Sequence, residues 1–269
     1  MTKFFRFGAI GYLLLTVLIW WLHPLVLFQP TMLPSDYRFQ FPQSFQELNF
    51  ANREARLNAL WFPKPSVPDS LRRGAVLFFH GNRDNLARWG KEYAPRFLNR
   101  GYEVLMYDYR GYGKSTGPRS EATLHQDAQL MYDYLKKHIS EDSIIVYGYS
   151  LGTGMAAHLA AHNHPRMLIL EAPYASIPTL GETQLPLFPY EWLTRYKFRT
   201  DSCLAYVSCP IYIFHGTRDR TVPYQNSQIL QRLYPSKIQL TTLPNGHHRH
   251  LDTFALYQTQ LSTVLAKFL

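Results

Sequence analysis

The pattern of apolar and polar positions divides the chain into three regimes. Residues 8–28 form one apolar stretch without a charged side chain, including Leu13-Leu14-Leu15, Val17-Leu18-Ile19-Trp20-Trp21 and Leu25-Val26-Leu27-Phe28. Wound as a helix, this stretch rises about 31 Å, close to the hydrocarbon thickness of a bilayer. Residues 29–45 are rich in Pro, Gln and Phe, which predicts an extended tether. From residue 46 onward, short apolar runs alternate with amphipathic segments, as in a folded domain with a core of its own.

Within that third regime, Leu48/Phe50 and Leu57/Ala59/Trp61 sit on alternating runs and predict an opening antiparallel hairpin over 45–62. Beyond Pro63, Pro65 and Pro68, the run Ala75-Val76-Leu77-Phe78-Phe79 is continuously apolar, as expected of a buried parallel strand. A 3.6-residue period over Leu86–Leu98 predicts a helix stopped by Gly101, and Glu103–Tyr107 is the next strand. The alternation continues with a helix over 121–138, a strand at 144–149, a helix from Gly152 and a strand at 166–170. It closes with a strand at 211–214, a helix over Gln225–Leu233, a strand over Ile238–Leu243 and a helix over 253–268. Such alternation predicts an α/β fold, a mostly parallel sheet with helices on both faces. The expected organisation is an anchor at 1–29, a tether at 30–45 and one α/β domain at 46–269.

The candidate chemistry starts at Gly148-Tyr149-Ser150-Leu151-Gly152, a G-x-S-x-G run with a β-branched strand before it and a small-residue helix start after it. A serine on such a turn presents its hydroxyl in strained backbone geometry, and the flanking glycines avoid clashes across the turn. A serine hydroxyl needs a base, a carboxylate to orient that base, and donors for an oxyanion. Downstream, Asp219 lies in the loop after the 211–214 strand, with Glu171 as the alternative acid. The loop after the last strand, Pro244-Asn245-Gly246-His247-His248-Arg249-His250, offers three histidines as base. The residue after the nucleophile, Leu151, supplies one oxyanion N–H, and Asn82 in His80-Gly81-Asn82 supplies the other. His80 itself reads as a structural hydrogen-bonding residue. The segment Tyr107-Asp108-Tyr109-Arg110-Gly111-Tyr112-Gly113 lacks phosphate-loop spacing and reads as a turn in which Asp108 and Arg110 brace neighbouring loops.

Composition changes this picture little. The 269 residues suffice for one large α/β domain with an appendage, and the 28 Lys and Arg against 19 Asp and Glu give a net charge of +9. That charge suits anionic headgroups; without a basic cluster, zinc spacing or RNA-binding signature it does not point to nucleic acid. The two cysteines form no C-x-x-C, so no metal site is expected. Cys209, before Pro210, reads as a small buried hydrophobe, and a Cys203–Cys209 disulfide would require an oxidising compartment. Trp20, Trp21, His23 and Pro24 stand where a cleaved signal peptide needs small residues, so the anchor is expected to be retained. Lys3 and Arg6 precede it and only Arg38 follows within 20 residues, which places the domain on the non-cytoplasmic side, the periplasm in a bacterium.

Taken together, His80-Gly81-Asn82, Tyr107 through Ser115, Gly148–Gly152, Cys209-Pro210 with His215-Gly216, Asp219 with Val222-Pro223, and Pro244 through His248 resemble the α/β-hydrolase superfamily. Within it they look most like membrane-anchored serine hydrolases that include protein depalmitoylases and overlap in profile with serine aminopeptidases. The resemblance covers residues 45–269 and implies the order Ser150, Asp219, base. Its usual Pro-x-Gly-x-His spacing, counted from Pro244 and Gly246, selects His248 over His247. Arg249 and His250 follow where that group often has a small acidic or amide residue, which makes the local charge more positive. Serine at 150 excludes the aspartate- and cysteine-nucleophile relatives.

The fold inserts its cap between Glu171 and Asp219, at about 172–205, where Tyr174, Leu185, Leu187, Phe188, Tyr190, Trp192 and Phe198 read either as the core packing of a short helix pair or as an apolar wall over Ser150 that accepts an acyl chain. As an apolar wall over Ser150, that cap favours lipid-like or acylated substrates at a membrane. Hydrolysis of an ester or thioester through an acyl-serine needs no metal or organic cofactor. A peptidase acting on free N-termini would need a carboxylate for the substrate ammonium, for which Glu171 and Glu182 are the candidates. A third reading is a membrane-tethered pseudo-hydrolase that binds a lipid or partner without turnover.

Overall fold

The computed structural model describes residues 2–63 and 73–267, with side chains described from Phe7 onward. Pro65, Pro68 and Phe268 lie outside the described residues. The chain opens with helix α1 (Thr2–Leu27) and a two-residue strand β1 (Gln29–Pro30). The hairpin β2 (Gln46–Asn52) and β3 (Ala55–Phe62) follows, then β4 (Ala75–Phe79), β5 (Arg83–Asp84), α2 (Leu86–Leu98) and β6 (Glu103–Tyr107). Next come α3 (Glu121–Lys136), β7 (Ile144–Tyr149), α4 (Gly152–Ala161) and β8 (Met167–Glu171). Three short helices, α5 (Ile177–Gln184), α6 (Tyr190–Leu193) and α7 (Thr200–Cys203), form the cap region; β9 (Ile211–Gly216), α8 (Gln225–Leu233), β10 (Ile238–Leu243) and α9 (Ala255–Ala266) close the chain.

Eight strands make one sheet in the order β10-β9-β8-β7-β4-β6-β3-β2. The six strands from β10 to β6 are parallel, and β3 and β2 add an antiparallel edge. The fold is therefore the expected α/β architecture, and the apolar runs explain it. Along β4, Ala75, Leu77 and Phe79 face one core layer while Val76 and Phe78 face the other. The first layer is filled by α3 and α4 through residues such as Leu124, Met131 and Met155. Helices α2 and α9 fill the second through Trp89, Tyr93, Phe97, Tyr257 and Leu261. A strand covered on both faces has no polar alternation to show, which is why these strands read as continuous hydrophobic runs.

Local signals set the boundaries. The Asn85 side chain accepts the Ala87 N–H at 3.0 Å and starts α2. Ser120 and Thr123 form a reciprocal capping box at the start of α3. Gly101, at φ 85°, takes the chain out of α2 towards β6. The closing helix begins at Ala255 rather than 253 because residues Leu251–Thr253 form a separate 3-10 turn, entered through His250 at φ 61°. The cap holds three short helices where a pair was expected, because Leu185–Pro189 and Thr194–Arg199 interrupt it. Buried polar residues clamp the loops: the Arg110 guanidinium donates twice to Asp127, at 2.7 and 2.8 Å, and Asp108 accepts the Leu86 N–H at 3.1 Å.

Residues 29–45 run extended along the body of the domain. Strand β1 pairs in parallel with β5, and Met32 bridges to Gly113. Phe39 is buried, stacking on Phe41, which packs edge-on against Phe62. Helix α1 contains a 21-residue segment, Phe7–Leu27, long and apolar enough to cross a membrane, and Leu13, Leu14 and Trp21 on it are exposed. Both cysteines are free thiols, and burial pushes Cys203 up to about 11 and Cys209 up to about 12.

On the α3–α4 face, the His158 ring stacks between His125, at 3.6 Å, and His162, at 4.3 Å. Burial, then the neighbouring His125 and His162, push His158 down to about 3. The unfolded chain binds this proton below about 6.5, the folded chain only near 3, so acid favours unfolding across that interval. The thermal midpoint is therefore expected to fall from pH 7 to pH 5, and to fall less in His158→Gln. Equal falls in the two proteins, followed by circular dichroism in detergent, would remove the stack from the account.

Candidate active site

Strand β7 is buried along its whole length and ends at a turn where Ser150 takes φ 51°. That left-handed conformation costs a non-glycine residue about 1–3 kcal/mol and persists only where the surroundings impose it. Here they do. The Ser150 N–H donates to the Glu171 carbonyl at 2.9 Å, and the Ser150 carbonyl accepts the Thr153 N–H at 3.0 Å and the Thr153 hydroxyl at 2.6 Å. The flanking glycines are steric requirements. A Cβ on Gly148 would lie 2.8 Å from the Ala156 Cβ, and one on Gly152 would lie 2.2 Å from the Phe79 carbonyl oxygen. The second contact also shows how closely the loop after β4 approaches the serine turn.

Two loops at the same edge of the sheet bring the other groups. The loop after β9 carries Asp219 and the loop after β10 carries His248. They cross where Gly216 meets Gly246; a Cβ on Gly216 would lie 2.3 Å from the Gly246 carbonyl oxygen. Backbone bonds from Thr217 to Leu243, at 3.0 Å, and from Arg218 to Gly246, at 2.8 Å, fasten the crossing. As a result His248 Nδ1 lies 2.7 Å from Asp219 Oδ2, and His248 Nε2 lies 3.0 Å from Ser150 Oγ. A carboxylate only accepts, so Nδ1 carries the proton and the Nε2 lone pair faces the serine hydroxyl.

Asp219 is set for this task. Its Oδ1 accepts the Thr221 N–H at 2.8 Å and the Val222 N–H at 2.9 Å. Burial alone would push the carboxyl up, but hydrogen bonds from His215 and His248 outweigh it and hold Asp219 well below the usual carboxylate range. His215 is a residue whose role sequence reasoning missed. Its Nε2 lies 2.9 Å from the Val222 carbonyl and 3.2 Å from Asp219 Oδ2, two acceptors that place the proton on that nitrogen. The Ser227 hydroxyl then donates to His215 Nδ1 at 2.6 Å. The His215-Gly216 pair was visible in the sequence as part of a motif, but nothing there showed that the ring reaches forward to Asp219. Tyr149 was also missed: its hydroxyl donates to the His248 carbonyl at 2.9 Å.

The remaining candidates lie as follows. Leu151 follows the serine directly. The Asn82 carbonyl accepts the Gln29 N–H at 3.0 Å and the Tyr112 hydroxyl at 2.8 Å, which fixes the orientation of its loop. His80 Nδ1 donates to the Gly81 carbonyl at 2.7 Å and its ring stacks on Tyr109; burial holds it neutral, pushed down to about 3. His247 is turned to the Arg218 carbonyl, 3.2 Å away, and His250 occupies the left-handed turn before Leu251. Glu171 is not brought to His248. Its carboxylate accepts from the hydroxyls of Tyr147, Tyr93 and Tyr257, with Arg96 Nη1 3.9 Å away. Glu182 is exposed on α5. Among the described residues, no group of three or more His, Cys, Asp or Glu is arranged to hold a metal ion.

A mostly parallel sheet with a serine on a strained strand-to-helix turn, and an acid and a histidine on the loops after later strands, is the α/β-hydrolase architecture, and this chain has that fold. It is homologous to serine hydrolases and esterases. The family model described as "Serine aminopeptidase, S33" matches residues 71–200. The lysophosphatidylserine lipase ABHD12 of Danio rerio is 30% identical over 247 residues, covering 81% of this chain and 63% of that protein. The chain thus spans less than two thirds of that relative's length. The uncharacterized protein YfhR of Escherichia coli K12 is 27% identical over 222 residues, covering 80% of this chain and 76% of YfhR. Among solved structures, an alpha-beta hydrolase from Vibrio vulnificus superposes with a TM-score of 0.67 at 23% identity, covering 81% of this chain and 80% of its own. At that identity the likeness shows the fold alone.

The depressed Asp219 carboxyl has a consequence for stability. Its contribution is fully present above the ordinary carboxylate value of about 4 and is lost as pH falls towards the folded value. Asp219→Asn is expected to lower the urea midpoint at pH 7, with the gap to wild type closing as pH falls below about 4. His215→Leu should do the same by a smaller amount, since Thr221, Val222 and His248 still donate to the carboxylate. A gap that persists unchanged at pH 3 would show that the charge on Asp219 is not what stabilises the fold.

Proposed function

We propose that the protein is a membrane-anchored serine hydrolase that cleaves carboxylic ester or thioester bonds of lipid-like or acylated substrates. The observation that carries this reading is the continuous relay from Ser150 Oγ through His248 to Asp219, at 3.0 and 2.7 Å. Ser150 Oγ attacks the substrate carbonyl while its proton passes to His248 Nε2. Asp219 holds the ring and offsets the charge that forms on it. The tetrahedral oxyanion is met by the N–H groups of Leu151 and Asn82. Collapse expels the alcohol or thiol, which takes the proton from Nε2 and leaves an acyl-serine. A water molecule then gives its proton to Nε2 and attacks the acyl carbon; the bond to Ser150 Oγ breaks, Oγ takes the proton back from Nε2, and the acid is released. Each step uses only side chains, backbone and water.

Three observations support the lipid-like class. Helix α1 is long and apolar enough to span a bilayer. The cap exposes Leu185, Leu187 and Trp192. One relative is a lysophosphatidylserine lipase. The match to the serine aminopeptidase model raises peptide hydrolysis as the alternative, yet Glu171 is engaged by three tyrosines and Arg96 and Glu182 is exposed. Neither holds a substrate ammonium beside Ser150. A non-catalytic binding role leaves the relay without a purpose. The flanking charges favour a domain on the non-cytoplasmic side of the membrane.

Fluorophosphonate labelling of membranes is expected to mark the wild type and not Ser150→Ala. Asp219→Asn should lower kcat by about 10⁴-fold, because His248 would then lose the acceptor that fixes its tautomer. Long-chain esters and thioesters should turn over while aminoacyl anilides do not. Folded wild type that takes no label, or that prefers the anilides, would overturn the reading.

A further inference from the structure

Between helix α1 and the cap lies a cavity of about 590 Å³, within the range typical of small-molecule sites. One wall is α1, through Ile19 and Leu22; the facing wall is α5, through Ile177 and Leu180. Its lining also includes Asn82 and Thr221. These two residues belong to the centre already described. The Asn82 N–H is assigned to the oxyanion, and the Thr221 N–H donates to Asp219 at 2.8 Å. The channel beside the anchor helix thus reaches two residues of that centre.

The cap follows the helix closely. Near its N-terminal part, the Tyr12 ring stacks on Phe188 at 5.3 Å and its hydroxyl donates to the Leu187 carbonyl at 3.0 Å. Further along, the Arg195 guanidinium lies 5.0 Å from the Trp20 ring, and Phe28 packs edge-on against Tyr196 at 4.8 Å. From Tyr12 to Leu27 the helix rises about 22 Å. The cap is thus held against the apolar helix over most of its length. It also exposes apolar side chains of its own: Leu187 is 63% and Trp192 83% exposed.

We infer that helix α1 is not only an anchor but one wall of the acyl-chain site, and that the substrate is a bilayer-resident lipid ester whose chain enters sideways, between α1 and α5. This rests on the hydrolase reading above. The chain lies against Ile19, Leu22 and Leu180, and its carbonyl end emerges at Asn82 beside Ser150. The headgroup never crosses the apolar walls, because the chain leads into the site from the membrane side.

The test uses the full chain in lipid nanodiscs. Leu22→Trp and Leu180→Trp fill the channel from opposite walls. Leu14→Trp, on an exposed part of the same helix outside the cavity, is the control. The ratio of C16 to C4 ester turnover is expected to fall at least 10-fold in both filled variants and to stay at the wild-type value in Leu14→Trp. An unchanged ratio in the filled variants, or the same fall in the control, overturns the channel. A second arm needs no nucleophile: a diazirine-bearing C16 fatty acid is photolysed on the Ser150→Ala protein and the adducts are mapped. Adducts on α1 and α5 support the channel; adducts elsewhere, or none, overturn it. If Ser150 of the wild type proves inert while these adducts form, the channel stands and the hydrolase reading fails.

Discussion

An ionised carboxylate in a mostly buried position is the interaction on which the site depends. Asp219 keeps its charge because four donors converge on it: the backbone N–H groups of Thr221 and Val222, and the rings of His215 and His248. Burial by itself works against the charge, and the hydrogen bonds from His215 and His248 outweigh it. The donors come from different places. His215 belongs to the end of β9, Thr221 and Val222 to the loop that follows, and His248 to the loop after β10. Solvating one oxygen pair therefore fixes the relative positions of a strand end and two loops. The same requirement orients the imidazole towards Ser150.

The parallel sheet makes that convergence available. Strands β4, β7, β9 and β10 all run the same way, so the loops carrying Asn82, Ser150, Asp219 and His248 leave from one edge. Glycines then let the loops approach more closely than side chains would permit. Gly152 accommodates the carbonyls after β4, and Gly216 and Gly246 let the acid and base loops cross. Strain at Ser150 is held by hydrogen bonds to Glu171 and Thr153, so β8 and α4 both take part in presenting the hydroxyl.

Much of this was legible in the chain. Continuous runs such as Ala75–Phe79 and Ile144–Val146 marked buried strands, because a strand covered on both faces must be apolar throughout. The serine turn was legible because its glycines are sterically obligatory. His248 was singled out among three neighbours by its spacing from Pro244 and Gly246, and the structure brings that ring to Ser150. What stayed hidden depends on contacts between residues far apart or on marks too brief to carry a period. The reach of His215 to Asp219 depends on how the loop after β9 folds back. The β1–β5 pairing involves two residues on each side, one of them Pro30, and no alternation marks it. The tyrosine cage around Glu171 joins α2, β7, β8 and α9, positions with no sequence relation to one another.

One short contact links the two ends of the molecule's design. Gln29, directly beyond α1 and Phe28, donates its backbone N–H to the carbonyl of Asn82 at 3.0 Å. The apolar helix is thus joined, through this bond and the β1–β5 pairing, to the loop assigned to meet the oxyanion. A spanning helix answers a thicker or thinner bilayer by changing its tilt. If helix α1 spans a bilayer as proposed, such a tilt is passed on to the loop that carries Asn82. Under the proposed function, membrane thickness and lateral tension would then act on the reaction as well as on the supply of substrate.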